Sequence, residues 1–381
     1  MGLHVETNSA SWNRLVKMSP YAVSHHKHEV LSFSNKTVLP LIYEKRGDYI
    51  LFPFNLSDNF GFRFVTVPVN DVASLLPNSP EAFSLLPEAL DVVSAFLRRH
   101  HVDLLTVTAP FLLPRSYEQY LDDWFKARSV SVQVLFMDLF KRDGRSFESV
   151  WKSDFSKHAR NRARKADKEG VEVREVEVLE NWISDMYLCN MSSFHRQQRH
   201  PRYPHSDERA FLVYLNKHKE LLGESFKVYG AFVKGRLVAY SATLEFNQLI
   251  LVMLMMSLSE FMSKCPNDTL LRHLVQHACK DRFNWIYYSF DRVSHESERP
   301  SLHTTLRRFK FERGFREFPM KIYSLGLSRS GKFVQRLLSF YNFMFVSSAA
   351  FPPFVTDTLQ KVYEMQRYRK SRYSYVKDTL S

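Results

Sequence analysis

The chain has 381 residues, 45% hydrophobic and 24% charged, and this ordinary globular composition argues against intrinsic disorder. Lys and Arg exceed Asp and Glu by 13, which favours an anionic partner such as a nucleotide, RNA or an acidic membrane face, although solubility alone explains the excess equally well. Three widely spaced cysteines argue against zinc and thiol-redox motifs and indicate a reducing compartment, which predicts a cytoplasmic protein or one attached peripherally to the inner face of the membrane.

The first half of the chain alternates strand and helix patterns. Runs of β-branched and aromatic residues predict strands at 37–43, 48–54, 62–68, 102–109 and 129–139. Helical spacing of apolar residues predicts helices at 81–99, with Pro87 early or between two pieces, and at 116–127. This half therefore forms a short antiparallel meander, a helix, a buried strand, a helix and a final strand.

The second half repeats this order. Strands are predicted at 171–178, 227–233, 236–244, 248–257, 285–290 and 315–325, and helices at 151–170, 181–194, 207–222, 268–280 and 301–308. Two copies of one α+β unit explain the length better than one large domain. The polar segment KRDGRSF separates the copies, so the predicted domains are 1–145 and 146–327, followed by a helical, basic tail at 328–381.

The predicted helix at 151–170, WKSDFSKHARNRARKADKEG, separates apolar and basic side chains. Phe155 and three alanines form a narrow apolar stripe, whereas Arg160, Arg164 and Lys168 occupy another face. Few acidic residues stand four positions away to pair with these cations. The basic face is therefore either simply solvated or binds a phosphate-bearing donor or acceptor.

Five short segments of the second half follow one another in a recognisable order. They are HARNRARKADKEGVEV, YGAFVKGRLVAYSATL, PNDTLL, YYSFDR and LRRFKFERGF. Over residues 141–325 the sequence resembles the Fem-like (FemAB-related) and BioF2-like acyltransferases of the GNAT superfamily, and the first half resembles them in predicted architecture. The resemblance implies tandem GNAT-like domains, each with a mixed, mostly antiparallel sheet and flanking helices.

The resemblance also implies a catalytic role for Lys310 and a substrate-positioning role for Phe309. In this family a Phe-Lys pair lines the cleft between donor and acceptor, and the lysine stabilises the negative charge that develops as an amine attacks an acyl carbonyl. Strand-like alternation would place Lys310 opposite Phe309 and Phe311. A preorganised cation in a partly desolvated cleft interacts far more strongly than one in water. The alternative is a surface lysine beside two core aromatics.

Two residues on predicted strands are further candidates. Asp291 follows the apolar strand WIYYSF and would accept a proton from the attacking amine. An ion pair with Arg292 or Arg308 explains Asp291 equally well. Tyr240 lies on the strand that faces the cleft in the family, so it would bind substrate; a place in the core is its alternative.

A basic loop, RQQRHPRYPH, follows the helix predicted at 181–194. Arg199 in this loop would contact an anionic group of the substrate. His195, His200 and His205 recur every five residues, and this spacing alone is weak support for a metal site. We therefore predict no metal.

The N-terminus of the helix at 268–280 is a candidate site for the phosphates of an acyl donor. Helix N-termini bind phosphate, and Asn267 and Thr269 would contact the donor there. The preceding segment, SEFMSKCPND, contains no glycine, unlike the usual coenzyme A loop, and Asp268 adds negative charge. N-capping by Asn267 and Asp268 is a simpler explanation of these residues.

The resemblance implies an N-acyltransferase that uses acyl-CoA or another activated acyl donor as cosubstrate, without a tightly bound cofactor or a covalent enzyme intermediate. The acceptor would be a small-molecule or envelope-precursor amine. One alternative is an aminoacyl-tRNA-dependent peptidyltransferase of cell-envelope precursors. Another is a non-catalytic member of the fold that binds a polyanion or a membrane. In either alternative, tRNA or an anionic membrane surface would contact the basic face and the tail.

Overall fold

The computed structural model describes residues 2–23, 26–32, 37–59, 62–66, 75–108, 115–126, 129–139, 146–197, 204–291 and 300–336. The chain forms two compact units, the first from Met1–Val132 and Pro319–Ser381 and the second from Gln133–Phe318. Both boundaries of this division fall within strands, and the domain limits at 145 and 327 remain a prediction. Most of the predicted boundary segment, 141–145, lies outside the described residues.

Strands and helices alternate along the described part of the chain. The strands are β1 Gly2–Val5, β2 Thr37–Lys45, β3 Asp48–Asn59, β4 Phe62–Thr66, β5 Leu76–Pro77, β6 Leu104–Thr108, β7 Ser129–Asp138, β8 Val171–Glu175, β9 Phe226–Val233, β10 Arg236–Phe246, β11 Leu249–Ser257, β12 Trp285–Asp291 and β13 Arg316–Gly326. The α-helices are α1 Ser9–Met18, α2 His28–Ser32, α3 Leu86–Arg99, α4 Arg115–Trp124, α5 Phe147–Ser153, α6 Lys157–Lys168, α7 Ile183–Arg196, α8 Glu208–Leu222, α9 Pro266–Lys280 and α10 Pro300–Phe311. Among the helices of the described residues, none has the length and apolar character needed to cross a membrane.

The sheet of the first unit has the strand order β1-β2-β3-β4-β6-β13. Neighbouring strands are antiparallel except β4 and β6, which pair in parallel. Arg46 and Gly47 join β2 to β3, and both have positive φ, as the two-residue hairpin turn that matches the twist of the strands requires. The core between this sheet and α3 contains Phe52, Phe54, Leu90, Val93, Leu97, Leu105 and Tyr323.

The sheet of the second unit has the strand order β7-β12-β11-β10-β9-β8. Here β11 and β12 form the parallel pair, while the described pairings of the other neighbours are antiparallel. Each unit thus contains a mixed, mostly antiparallel sheet with flanking helices, and the predicted α+β fold class is confirmed. The tail from residue 337 onward lies outside the described residues, whereas residues 329–336 are helical as predicted.

The parallel pair of the second unit separates before its strands end. β11 and β12 pair only from Leu249↔Trp285 to Leu251↔Tyr287. Both strands continue, to Ser257 and Asp291, without further described pairing to each other. We call this unpaired part, residues 252–257 and 288–291, the β11–β12 gap. Across this gap, no described pairing joins the backbone N–H and C=O groups of β11 to those of β12.

The helix predicted at 151–170 is in fact two helices, α5 and α6, separated at residues 154–156. Phe155 forms an antiparallel bridge with Arg313, which extends the backbone at this point. Ser156 caps α6, because its hydroxyl accepts a hydrogen bond from the Ala159 N–H at 3.1 Å. The break therefore depends on a residue distant in sequence, and helical spacing did not reveal it.

The strand-like alternation predicted for residues 309–311 is wrong. The helix α10 continues to Phe311, so these three side chains project about 100° apart around a helix rather than to opposite sides of a strand. Gly314 ends the helix with φ +90, and the N–H groups of Arg313 and Phe315 both bond the Lys310 carbonyl. Lys310 consequently lies in the last helical turn.

Candidate functional site

Lys310 is a buried cation beside the β11–β12 gap. Only 4% of its surface is exposed. Its Nζ donates a hydrogen bond to the carbonyl oxygen of Tyr288 at 2.9 Å and lies 4.4 Å from the centre of the Tyr288 ring. Tyr288 follows the last β12 residue that pairs with β11, and burial raises the pKa of its hydroxyl, which keeps the ring neutral. The ammonium is thus held in a water-poor environment by a carbonyl and an aromatic face.

The phenylalanines that flank Lys310 in sequence each contact an arginine. The guanidinium carbon of Arg313 lies 3.7 Å from the centre of the Phe309 ring, and that of Arg307 lies 5.4 Å from the centre of the Phe311 ring. Both rings are half-buried. Each ring therefore supports an arginine four residues away on the same segment, and Tyr288 supplies the aromatic contact of Lys310.

A buried ion network lies at the start of α9, and the sequence patterns did not reveal it. Asp268 pairs with Arg313 through one carboxylate oxygen and with Nε of Arg162 at 3.1 Å through the other. Asp268 and Arg313 are both almost completely buried. The negative charge of Asp268, which argued against an anion site here, is consequently compensated by two arginines.

Asn267 and Asp268 do not cap α9 as predicted. Cys265 occupies the cap position in a left-handed conformation, φ 58, without a side-chain capping bond, and Pro266 begins the helix. Asn267 instead donates through Nδ2 to the Ser257 hydroxyl at 3.1 Å, while its buried Oδ1 has no hydrogen-bond partner among the described residues. Thr269 is buried, and its hydroxyl accepts a bond from Arg272 at 3.1 Å. Of the two predicted donor-binding residues, Asn267 contacts the end of β11 and Thr269 packs inward.

A second cation, Arg196, lies at the end of β11. Its guanidinium donates to the Ser257 carbonyl at 3.3 Å and to the hydroxyls of Ser193, Ser257 and Ser259 at 3.0–3.3 Å. Burial lowers the pKa of Arg196, and no carboxylate pairs with it among the described residues. The predicted residue Arg199, three positions later, lies outside the described residues, as does His200. Arg196 begins the segment predicted as a basic loop, from which only Arg199 was singled out, and it is in fact the last residue of α7.

The basic face predicted around Arg160 divides into internal and exposed parts. Arg160 donates to the carbonyl oxygens of Lys152 at 3.0 Å and Phe155 at 2.5 Å, so it satisfies the C-terminal end of α5. Arg164 is exposed and bonds Asn161 at 3.2 Å, and Lys168 is exposed in the last turn of α6. Of the three predicted residues, Arg164 and Lys168 are open to an external anion.

The remaining candidates, Tyr240, Asp291 and the histidines, occupy different environments. Tyr240 is completely buried and donates its hydroxyl hydrogen to Asn190, which is the predicted core alternative rather than a cleft-lining position. Asp291 is the last residue of β12, opposite Gln133 of β7, and its side chain lies outside the described part. His195 is exposed, whereas burial and the charge of His218 lower the pKa of His205 to about 4. No group of metal-ligating side chains occurs among the described residues.

Comparison with known families defines the class of the second unit. Residues 153–290 match the family model of the acetyltransferase (GNAT) domain. This range includes β8 to β11 and the helices α6 to α9, and it ends on β12 within the gap. A search of curated proteins finds no match. The predicted GNAT domain is therefore confirmed for this part of the chain.

The chain shares its fold with a Fem-type protein over most of its length. It superposes on a crystal structure of FemX with a TM-score of 0.67, at 9% sequence identity, covering 89% of this chain and 100% of that one. It also superposes on the C-terminal domain of a protein described as a lysylphosphatidylglycerol synthetase from Agrobacterium fabrum, with a TM-score of 0.51, 12% identity and coverages of 88% and 95%. L-PGS from Bacillus licheniformis gives a TM-score of 0.50, 12% identity and coverages of 88% and 97%. At these identities the likeness concerns the fold.

Proposed function

We propose that the chain is an N-acyltransferase that moves an activated acyl or aminoacyl group directly to an amine acceptor. The GNAT domain at residues 153–290 supports a transferase. The observation that carries the proposal is the buried ammonium of Lys310 beside the β11–β12 gap. A preorganised cation in a water-poor site is suited to negative charge that exists only in the transition state.

In the proposed reaction the acceptor amine attacks the acyl carbonyl carbon. The new C–N bond forms as the carbonyl π electrons move to oxygen, and the resulting oxyanion lies near Lys310 Nζ. Collapse of this intermediate expels the leaving group of the donor, and the ammonium proton of the acceptor passes to a base. Asp291, the residue predicted for this step, ends the strand that contains Tyr288.

Direct transfer is supported by the chemistry of the buried cysteines. Burial raises the pKa of the Cys189 thiol to about 12, and burial also raises the pKa of Cys265. Both thiols are therefore protonated near neutral pH and are poor nucleophiles. In the proposed reaction neither Cys189 nor Cys265 is acylated, and the acceptor amine attacks the donor carbonyl directly.

The donor is proposed to be acyl-CoA or another activated acyl compound that bears phosphate. Arg196 and Asn267 both contact Ser257 at the end of β11, and the guanidinium of Arg196 offers donors to an anion. The compensation of Asp268 by two arginines removes one electrostatic objection to an anion at this end of α9. Thr269 and Arg199 remain predicted contacts, and a cytoplasmic location fits such a donor.

A second candidate function is transfer from aminoacyl-tRNA, and the exposed Arg164 and Lys168 of α6 favour it. In both cases the acceptor is proposed to be a small-molecule or envelope-precursor amine. Native mass spectrometry of the purified protein would identify a retained acyl-thioester, nucleotide-sugar or RNA and thereby define the assay. A non-catalytic role would instead give a retained polyanion without turnover.

The proposed chemistry is tested by Lys310→Met, which retains much of the buried volume and removes the charge. We expect kcat to fall by about 10²–10³-fold, as for loss of one oxyanion-stabilising donor. Arg308→Gln is the matched control, because Arg308 lies on the same helix with an exposed side chain. Turnover of Lys310→Met within a few-fold of the wild-type rate, in a folded protein, would remove the catalytic role of Lys310.

A further inference from the structure

Asp268 connects three segments of the second unit. It lies in the first turn of α9, and 3% of its surface is exposed. Arg313 and Arg162 bind its two carboxylate oxygens and lie 45 and 106 residues away in sequence. The carboxylate thus joins α9, the segment after α10 and α6 through charged hydrogen bonds in a nearly dry environment.

Arg313 transmits this constraint to the helical turn that carries Lys310. Its guanidinium donates to the Phe309 carbonyl at 2.6 Å and covers the Phe309 ring at 3.7 Å. Its backbone N–H donates to the Lys310 carbonyl at 3.0 Å. The carbonyls of Phe309 and Lys310 flank the Cα of Lys310, so Arg313 fixes the peptide units on both sides of the lysine.

We propose that Asp268 and Arg313 are positioning residues that hold the Lys310 ammonium at Tyr288 on the β12 side of the β11–β12 gap. Asp268 orients the planar guanidinium, and the guanidinium orients the last turn of α10. An ammonium at position 313 would lack the fork that binds the carboxylate and the carbonyl together. The catalytic value of this arrangement rests on the proposed function of Lys310. The coupling of Asp268 and Arg313 to the position of Lys310 does not depend on that function.

The experiment measures the reactivity of the Lys310 amine, so it needs no substrate. Full-length protein is treated briefly with trace isotopic acetic anhydride at several values between about pH 7 and pH 11, which spans the usual titration of lysine. Mass spectrometry then gives acetylation at Lys310 relative to the exposed Lys280. We expect Arg313→Gln and Asp268→Asn to raise Lys310 labelling at least roughly threefold, because local opening exposes the amine. Arg308→Gln is expected to leave it unchanged.

Two further variants separate positioning from folding. Arg313→Lys keeps the charge, and we expect its Lys310 labelling to resemble that of Arg313→Gln. The double variant Asp268→Asn/Arg313→Gln removes both buried charges, so we expect its thermal unfolding temperature to exceed those of the single variants while Lys310 labelling stays high. Wild-type labelling in Arg313→Gln, or its return in the double variant, would overturn the positioning role. Full turnover of Lys310→Met would instead remove the catalytic role of Lys310 and leave the positioning result standing.

Discussion

The burial of Lys310 is physically costly and chemically useful for the same reason. A buried ammonium without partners is strongly disfavoured, but the Tyr288 carbonyl and ring compensate part of its lost hydration. The low dielectric that makes burial expensive also strengthens the attraction of the ammonium for a nearby oxyanion. A neutral side chain at position 310 would pack at lower cost, so a retained charge here favours a role in the reaction over one in packing alone.

Glu245 gives the second unit a predictable response to acid. Although its burial raises the pKa of this carboxyl, the hydrogen bond and charge of His277 and the hydrogen bond of Tyr229 lower it to a net value below the ordinary one. A lowered pKa in the folded state contributes stability above the pKa of the unfolded chain, and this contribution is lost as pH falls through the folded value. We expect Glu245→Gln to lower the free energy of unfolding at pH 7 by about 1–3 kcal/mol, because buried bonds to a charged group are lost.

Urea unfolding at pH 7 and near pH 3.5 tests this expectation. The difference between wild type and Glu245→Gln should shrink at the lower pH, because a carboxyl whose pKa is lowered by folding contributes less stability as pH falls below the pKa of the unfolded chain. Glu172→Gln on β8 is the control, since Glu172 is exposed. A difference that stays constant with pH would mean that Glu245 acts through shape and hydrogen bonding without its charge.

At the scale of elements, the end of α10 requires glycine at position 314. Gly314 has φ +90, and a Cβ there would lie 2.9 Å from the Cβ of Asp154. Gly170 ends α6 with φ +69 and has open space around it, so it provides a matched control. We expect Gly170→Ala to cost about 1–2 kcal/mol of unfolding free energy from backbone strain, and Gly314→Ala to cost more. Equal costs in chemical denaturation would contradict a steric role for Asp154.

Local patterns revealed the elements whose boundaries are set locally. The division of the helix pattern near Pro87 and most strands of both sheets agree with prediction. The elements β1, α1 and α2 were not predicted, and the break between α5 and α6 depends on the bridge from Phe155 to Arg313. Residues 309–311 show the same limit, since Phe-Lys-Phe alternates like a strand but lies in a helix whose end contacts the distant residues Tyr288 and Asp268.

The candidate site shows a similar division between local and distant information. The resemblance brought Lys310 to attention, and its burial beside the gap is compatible with the proposed role. The pairing of Asp268 with Arg313 spans 45 residues, so a single sequence offered only an acidic residue near a helix start and an arginine before a glycine. Helix-capping rules explained Asp268 too simply, because they consider only the helix that contains the residue.

At the scale of the whole molecule, only some of the basic residues behind the excess of 13 positive charges are available to bind a partner. Arg160, Arg162 and Arg313 satisfy carbonyls or carboxylates inside the second unit. Such arginines add to the net charge without offering binding capacity to a partner. Arg164 and Lys168 are exposed on one helix, and within the described residues no carboxylate pairs with either of them. Polyanion binding should therefore depend on few residues despite the large net charge.

The exposure of Arg164 and Lys168 allows RNA to be tested as the partner of α6. Binding of fluorescently labelled, unfractionated tRNA is measured at several salt concentrations for wild type and for Arg164→Gln/Lys168→Gln. Each phosphate contact contributes about 0.7–0.9 to the slope of log affinity against log salt, so we expect the double variant to lose about 1.5 from that slope. Arg209→Gln/Lys280→Gln removes the same charge from exposed positions elsewhere in the second unit and should leave the slope nearly unchanged. Equal losses of slope in both variants would indicate non-specific attraction to net charge. If wild type binds phosphatidylglycerol vesicles but not tRNA, the basic face of α6 would instead be assigned to a membrane surface.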